Sequence, residues 1–230
     1  MMYEVIDIIK DNQLFNNISK AEIRQILKCG KARVEEYKDN QIVFQKDDNV
    51  KKLGIILEGQ FNLVSWKFNG TRAIVTTLER NDLFGEALAF SSSKELPYDL
   101  VSSGNSKALI LPYYVFFTMC REVCNFHKIL INNMLSILAD KIVVLNNKMH
   151  ILNTETLRGR IAMYLLTLHK KNNSVMFDMP MNRQELADFL NVKRPSLSRE
   201  FSKMQQENII EVHRSTVRII DMDTLKELSD

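Results

Sequence analysis

Six side chains set close together raise the first question of chemistry. Lys193, Arg194, Ser196, Ser198, Arg199 and Lys203 fall within the stretch "NVKRPSLSREFSK". Arginine carries a planar fork of donors that pairs with guanine O6 and N7, at roughly 1–3 kcal/mol of discrimination per bidentate contact. Serines, lysines and a further arginine suit phosphates, which fix register without reading sequence. Arg183 lies eleven residues before Arg194, and His213, Arg214 and Arg218 follow within twenty residues of Arg199. Between Asn191 and Arg218 six Lys/Arg stand against three Glu. The whole chain of 230 residues is nearly balanced, at a formal net charge of +3, so the excess is local.

A second group invites metal chemistry. Cys120, Cys124 and His127 would share one face of a continuous helix and could hold zinc or an iron centre. A lone C-x₃-C without a second ligand pair is weak, however, and small buried cysteines are common. No metal or other cofactor is therefore expected. Three cysteines do not make a disulfide framework, and a reducing compartment is expected. The first residues include acids and lack a basic region followed by a small-residue cleavage site, and the sequence reads as having no membrane-spanning apolar run. A cytoplasmic protein without a membrane partner follows as the expectation. Four scattered histidines and no glycine-rich phosphate loop after a strand leave no enzyme chemistry to assign.

The cationic cluster needs elements to hold it out. In "NRQELADFL" Asn182 caps and Glu185 completes a capping box, with Leu186, Phe189 and Leu190 facing inward. Asn191 tolerates the left-handed conformation that ends a helix. Pro195 then suits the first turn of a second helix, whose buried stripe is Leu197, Phe201 and Met204. Two helices on a short turn, the second presenting its first residues, is how a helix-turn-helix enters a major groove. "NIIEVHRSTVRIIDM" reads as a hairpin turning near Arg214-Ser215, followed by a short helix starting on Asp223. Upstream, Asn153 and Thr154 are the expected caps of a helix that buries Leu157, Ile161, Leu165 and Leu168.

Two-fold operators require a two-fold protein, and the sequence offers a seam. Ile131, Leu135, Leu138, Ile142, Leu145, Met149 and Leu152 recur with spacings 4-3-4-3-4-3. A strict 3.5-residue repeat keeps one stripe facing a partner helix. Leu130, Met134, Ile137 and Val144 form a second stripe suited to packing on the chain's own sheet. Residues 33 to 112 hold five of the seven glycines, alternate apolar and polar residues, and turn at Asn69-Gly70. That pattern reads as short antiparallel strands forming a small barrel or roll. A helix with a Ser19…Glu22 capping box precedes it.

The order of roll, long dimer helix and winged helix-turn-helix resembles the Crp/Fnr (cyclic-AMP receptor protein and fumarate-nitrate regulator) superfamily of bacterial transcription regulators. The resemblance is carried by "LFNNISKAEI", "QIVFQKDD", "LGIILEGQFNL", "NDLFGEALAF" and "MNRQELADFLNVKRPSLSRE". It implies an α+β chain: a double-stranded β-roll of the cyclic-nucleotide-binding type over 1–122, a coiled-coil dimerisation helix over 123–153 and a winged helix-turn-helix over 154–230. It also implies base-reading arginines at Arg194 and Arg199 and a phosphate-binding arginine at Arg183. Double-stranded DNA, a second copy of the chain, a small-molecule effector and, for an activator, RNA polymerase are the implied partners. Where the family often has glutamate between the two readers this chain has Pro195, so the family's usual operator is not expected. Gly85-Glu86 matches the ribose-binding element of the effector pocket. Near Leu96-Pro97-Tyr98-Asp99, where an arginine should meet the cyclic phosphate, there is no cation. Control by a cyclic nucleotide is accordingly not expected. The alternative reading is a ligand-binding regulatory module without DNA activity.

Overall fold

The computed structural model describes residues 2–45, 51–66, 72–91, 98–117 and 125–229. Helix α1 (Met2–Ile9), a 3₁₀ turn (Gln13–Phe15) and α2 (Lys20–Cys29) lead into strands β1 (Arg33–Tyr37), β2 (Ile42–Phe44), β3 (Lys52–Trp66), β4 (Arg72–Leu78) and β5 (Leu83–Phe84). Helix α3 (Glu86–Phe90), β6 (Asp99–Pro112) and a 3₁₀ turn (Tyr113–Phe116) precede the long α4 (Asn125–Asn153). The remainder is α5 (Leu157–Asn172), β7 (Met176–Asp178), α6 (Arg183–Phe189), α7 (Arg194–Gln206), β8 (Ile210–His213), β9 (Thr216–Ile219) and α8 (Met222–Glu227). The chain forms two compact units, Met1–Asp140 and Lys141–Asp230, so the division falls inside α4.

The first unit is the roll. Strands β3 and β6 pair antiparallel from Lys52↔Pro112 to Val64↔Asp99, and their register shifts between Ile56 and Gln60 bend both. Gly59 takes φ +78° in that bend, where an added Cβ would come within 2.3 Å of Ser106 Oγ. Period-two alternation then sorts the side chains. Leu53, Ile55, Leu57, Leu109 and Leu111 point to a core shared with α1, α2 and the first half of α4. Ile56, Phe61, Ala108 and Ile110 point into the roll, with Tyr37, Phe44 and Phe84. Helix α2 carries the expected capping box, Glu22 Oε2 accepting from Ser19 N–H at 2.8 Å. The expected turn at Asn69-Gly70 lies outside the described residues.

Along α4 the two stripes part company. Leu130, Met134 and Ile137 are buried in the first unit's core, as the pattern predicts. Val144, assigned to the same stripe, is instead 67% exposed. On α4 the roll's core ends at Ile137 and Leu138, about two turns earlier at ~3.6 residues per turn, and none of the described residues covers Val144. From Lys141 to His150 every residue except Lys148 is exposed. By length and composition alone α4 is apolar enough to cross a membrane, with mean hydropathy 1.5, which corrects the reading that no such run exists. Its apolar positions nevertheless alternate with Asn132, Asn133, Asp140, Lys141, Asn146 and Lys148, and Asn133 Nδ2 donates to Leu14 O at 3.0 Å and Asn16 O at 2.8 Å. A face of that polarity suits water and protein better than lipid.

Candidate nucleic-acid interface

The second unit is built to hold α7 firmly. Helix α6 opens on Asn182, whose Oδ1 accepts from Gln184 N–H at 2.9 Å and Glu185 N–H at 3.0 Å. Glu185 Oε2 accepts from Asn182 N–H at 2.7 Å in return, completing the expected box. The helix ends on Asn191 at φ +55°. Val192 N–H donates to Ala187 O and Asn191 N–H to Asp188 O, the paired bonds of a Schellman motif. Residues 190–193 therefore make a short turn in which the N–H groups of Leu190, Asn191 and Val192 are all bonded to α6. Helix α7 begins at Arg194 with Pro195 in its first turn, and Leu197, Phe201 and Met204 are buried. It ends as α6 does, on Asn208 at φ +56°, with Ile209 N–H donating to Met204 O at 3.0 Å.

Strands β8 and β9 pair from Ile210↔Ile219 to His213↔Thr216, and β7 joins the outer side of β9. Arg214 takes φ +56° at the tip, an uncommon conformation for a residue with a Cβ. Ser215 O accepts from Met179 N–H at 2.9 Å, and Thr216 Oγ1 donates to Asp178 Oδ1 at 2.6 Å. These bonds tie the wing to the chain entering α6.

With the helices fixed, the cations fall into two classes. Lys193, Arg194, Arg199, Lys203, His213, Arg214 and Arg218 are exposed. Arg199 Nε donates to Pro195 O at 3.3 Å, which lays its guanidinium back over the turn that carries Arg194. Ser196 and Ser198, expected on open faces, are half-buried. The guanidinium of Arg183 stacks 3.7 Å from the centre of the buried Phe201 ring, and its Nη1 contacts Met179 Sδ at 3.5 Å. Burial lowers its pKa. Arg183 thus also packs α6 against α7, a contact the sequence did not announce. A cleft of about 620 Å³ lies beside it, lined by 179–185, Arg194, Arg214 and Ser215. Arg194 and the wing tip therefore share one concavity.

One cap was misread. Thr156, not Asn153 or Thr154, caps α5 by accepting from Gly159 N–H at 2.9 Å, because α4 runs on to Asn153. Helix α8 begins at Met222, one residue before the expected start at Asp223, and Asp221 caps it, its Oδ1 accepting from Thr224 N–H at 3.0 Å. Sequence reasoning also passed over Arg158. Its Nε donates to Glu200 Oε1 at 2.6 Å, and its Nη1 and Nη2 donate to Glu207 at 2.7 and 3.0 Å.

At the positions expected to form a seam, Leu135 (59% exposed), Ile142 (59%), Leu145 (57%) and Met149 (53%) stand in the open, and Ile131 is exposed as well. Leu138 and Leu152 are half-buried, Leu138 against the first unit's core.

The described residues around Gly85 form a tight, largely apolar part of the roll. Gly85 takes φ +81° and caps α3, where a Cβ would meet Lys52 O and Phe44 at 2.9 Å. Glu86 follows it and is buried. Asp99 and the hydroxyls of Ser102 and Ser106 are buried too. Phe84 packs 5.6 Å from both Phe44 and Phe61, filling the roll with aromatic rings. Leu96 and Pro97 lie outside the described residues, as do Cys120 and Cys124 of the metal hypothesis. His127 is buried, packs against Phe126 with ring centres 4.8 Å apart, and has its pKa lowered by desolvation. Among the described residues no three His, Cys, Asp or Glu gather as a metal site.

Comparison with known proteins agrees with this anatomy. Residues 159–228 match the Crp-like helix-turn-helix domain family, and residues 34–123 match the cyclic nucleotide-binding domain family. The helix-turn-helix-type transcriptional regulator ycf28 of Porphyra purpurea is 27% identical over 191 residues, which are 80% of this chain and 76% of that protein. The cyclic AMP receptor protein of Thermus thermophilus is 21% identical over 221 residues, 96% of this chain and 98% of that one. The crystal structure of the Thermus thermophilus catabolite activator protein superposes with a TM-score of 0.53 at 20% identity, covering 95% of this chain and 98% of its own. With a cyclic nucleotide-binding-type roll before α4 and a Crp-like helix-turn-helix after it, the chain belongs to the Crp/Fnr superfamily of transcription regulators.

Proposed function

We propose that this regulator acts in the cytoplasm as a homodimer that reads a two-fold DNA site, each subunit presenting Arg194 and Arg199 to base edges. The observation that carries the reading is the contrast on α7. Its rear stripe is fully buried while both arginines are exposed beside the turn. Lys193, Lys203, His213 and Arg214 surround them and suit the phosphate backbone. The dimer reading is supported by the bare stretch of α4, since a helix without tertiary cover is marginal in water and Leu135, Ile142, Leu145 and Met149 fit a two-stranded seam.

In this reading no resident metal or cofactor takes part, and the signal is not a cyclic nucleotide. The buried carboxyl group of Asp99 would repel a cyclic phosphate, and aromatic rings occupy the roll. An apolar or peptide-like small molecule between roll and dimer helix is the better candidate effector. RNA polymerase is a partner if the protein activates. Selection of bound sequences from a pool of randomised duplexes tests the reading. Two half-sites with centres one helical turn, about 34 Å, apart are expected. A pool that emerges without any preferred sequence would contradict it.

A further inference from the structure

Helix α7 is gripped from behind by a single arginine. Arg158 stands in the first turn of α5. One edge of its guanidinium binds Glu200, the neighbour of Arg199, and the other two nitrogens bind both oxygens of Glu207, the residue that closes α7. The two carboxylates are seven residues apart, about 10 Å along a helix rising ~1.5 Å per residue. One guanidinium therefore spans the rear half of the helix. The side chains of Arg158 and Glu200 are three-quarters or more buried, so water competes weakly for that bond, while the Glu207 end lies nearer solvent. Hydrogen bonds from Arg158 hold the Glu207 carboxyl below its ordinary pKa, and both carboxylates raise that of Arg158.

We infer that Arg158 is a positioning residue for base recognition, fixing the rotation and tilt of α7 so that Arg194 and Arg199 meet the groove at one angle. The inference rests on reading α7 as the recognition helix. The apolar stripe Leu197, Phe201 and Met204 decides which face of α7 is inside, but dispersion contacts are non-directional and tolerate small slides. Fork-to-carboxylate bonds are directional and penalise a slide at once. A bidentate contact to a base needs its side chain placed within roughly 0.5 Å. Phosphate contacts by long flexible lysines do not. Loosening the grip should therefore degrade sequence preference before it degrades binding.

The Arg158–carboxylate group has a second consequence that helps the test. Without Arg158, the charges of Glu200 and Glu207 behind α7 would stand uncompensated and, by longer-range repulsion of the DNA polyanion, weaken binding to every sequence alike. Three variants separate the effects: R158M, E200Q/E207Q, and the combination of all three substitutions. The probes are the duplex selected by the wild-type chain and a scrambled duplex of equal length. The quantity read is the ratio of the two affinities, beside the circular dichroism spectrum and the dimer mass.

R158M is expected to keep its spectrum and mass while the ratio falls about tenfold, the loss of one base contact. The triple variant, relieved of stranded carboxylates, should regain affinity for the scrambled duplex without regaining the ratio. A wild-type ratio in R158M would overturn the inference, even if melting temperature or total affinity dropped. Should R158M fail to fold, R158K retains the charge but not the fork. Its ratio should fall severalfold, and an unchanged one would overturn the inference equally. A wild-type chain that prefers neither duplex would refute the proposed function instead.

Discussion

An aspartate at Ile142 should split the dimer without touching the subunit. Ile142 is 59% exposed on α4, beyond the reach of the first unit's core, so the substitution leaves the fold of the single chain alone. Full burial of an isoleucine is worth about 1.5–3 kcal/mol. Covering the part still exposed contributes roughly 1–2 kcal/mol per subunit, and Leu135, Leu145 and Met149 are open to a similar degree. Four such positions on each of two chains give on the order of 8–16 kcal/mol, set against an association cost of about 4–15 kcal/mol. The balance is narrow, so one position matters. Removing Ile142 from both chains forfeits roughly 2–4 kcal/mol, and two carboxylates facing across the seam add repulsion. At about 1.4 kcal/mol per decade the dissociation constant should rise at least about thirtyfold from the lost burial alone. Sedimentation equilibrium reads it, with far-ultraviolet circular dichroism as the control for folding. An intact I142D dimer of wild-type affinity would refute the seam. Leu138 is a poorer probe, because it also packs on the roll and its loss would mix two effects.

Asn191→Ala should lower the stability of the second unit by about 1 kcal/mol in thermal melts, because the residue sits at φ +55°, whereas Asn191→Gly should be within a few tenths. Arg183→Met should lower stability by about 1 kcal/mol through the lost stack on Phe201, and leave the slope of log affinity against log salt unchanged. A slope smaller by about one would assign it a phosphate contact.

How much of this was readable in advance follows the range of each interaction. The capping boxes at Ser19…Glu22 and Asn182…Glu185 are formed within three residues, and both stood in the sequence. So did Asn191 as the helix breaker, since its role is set by its own φ. The heptad positions were legible because period alone marks a stripe. Period could not say where the roll's core stops, and Val144 was misassigned for that reason. The length of α4 likewise hid the cap at Thr156, as Asn153 and Thr154 are equally good caps by type. The grip of Arg158 was invisible because its partners lie 42 and 49 residues away. The stack of Arg183 on Phe201 was hidden differently. Both residues were noticed, one as a phosphate ligand and one as core, and only coordinates show that they touch.

The most direct measurement is the sequence preference of R199A, taken by selection from randomised duplexes alongside the wild-type chain. Arg199 is exposed and bonded to its own helix alone among the described contacts, so the variant should remain a folded dimer. Preference should disappear at one or two base pairs of each half-site, at roughly 1–3 kcal/mol apiece, while the other positions persist. An unchanged consensus would contradict the account, for it would mean that an exposed guanidinium on the outer face of α7 reads nothing.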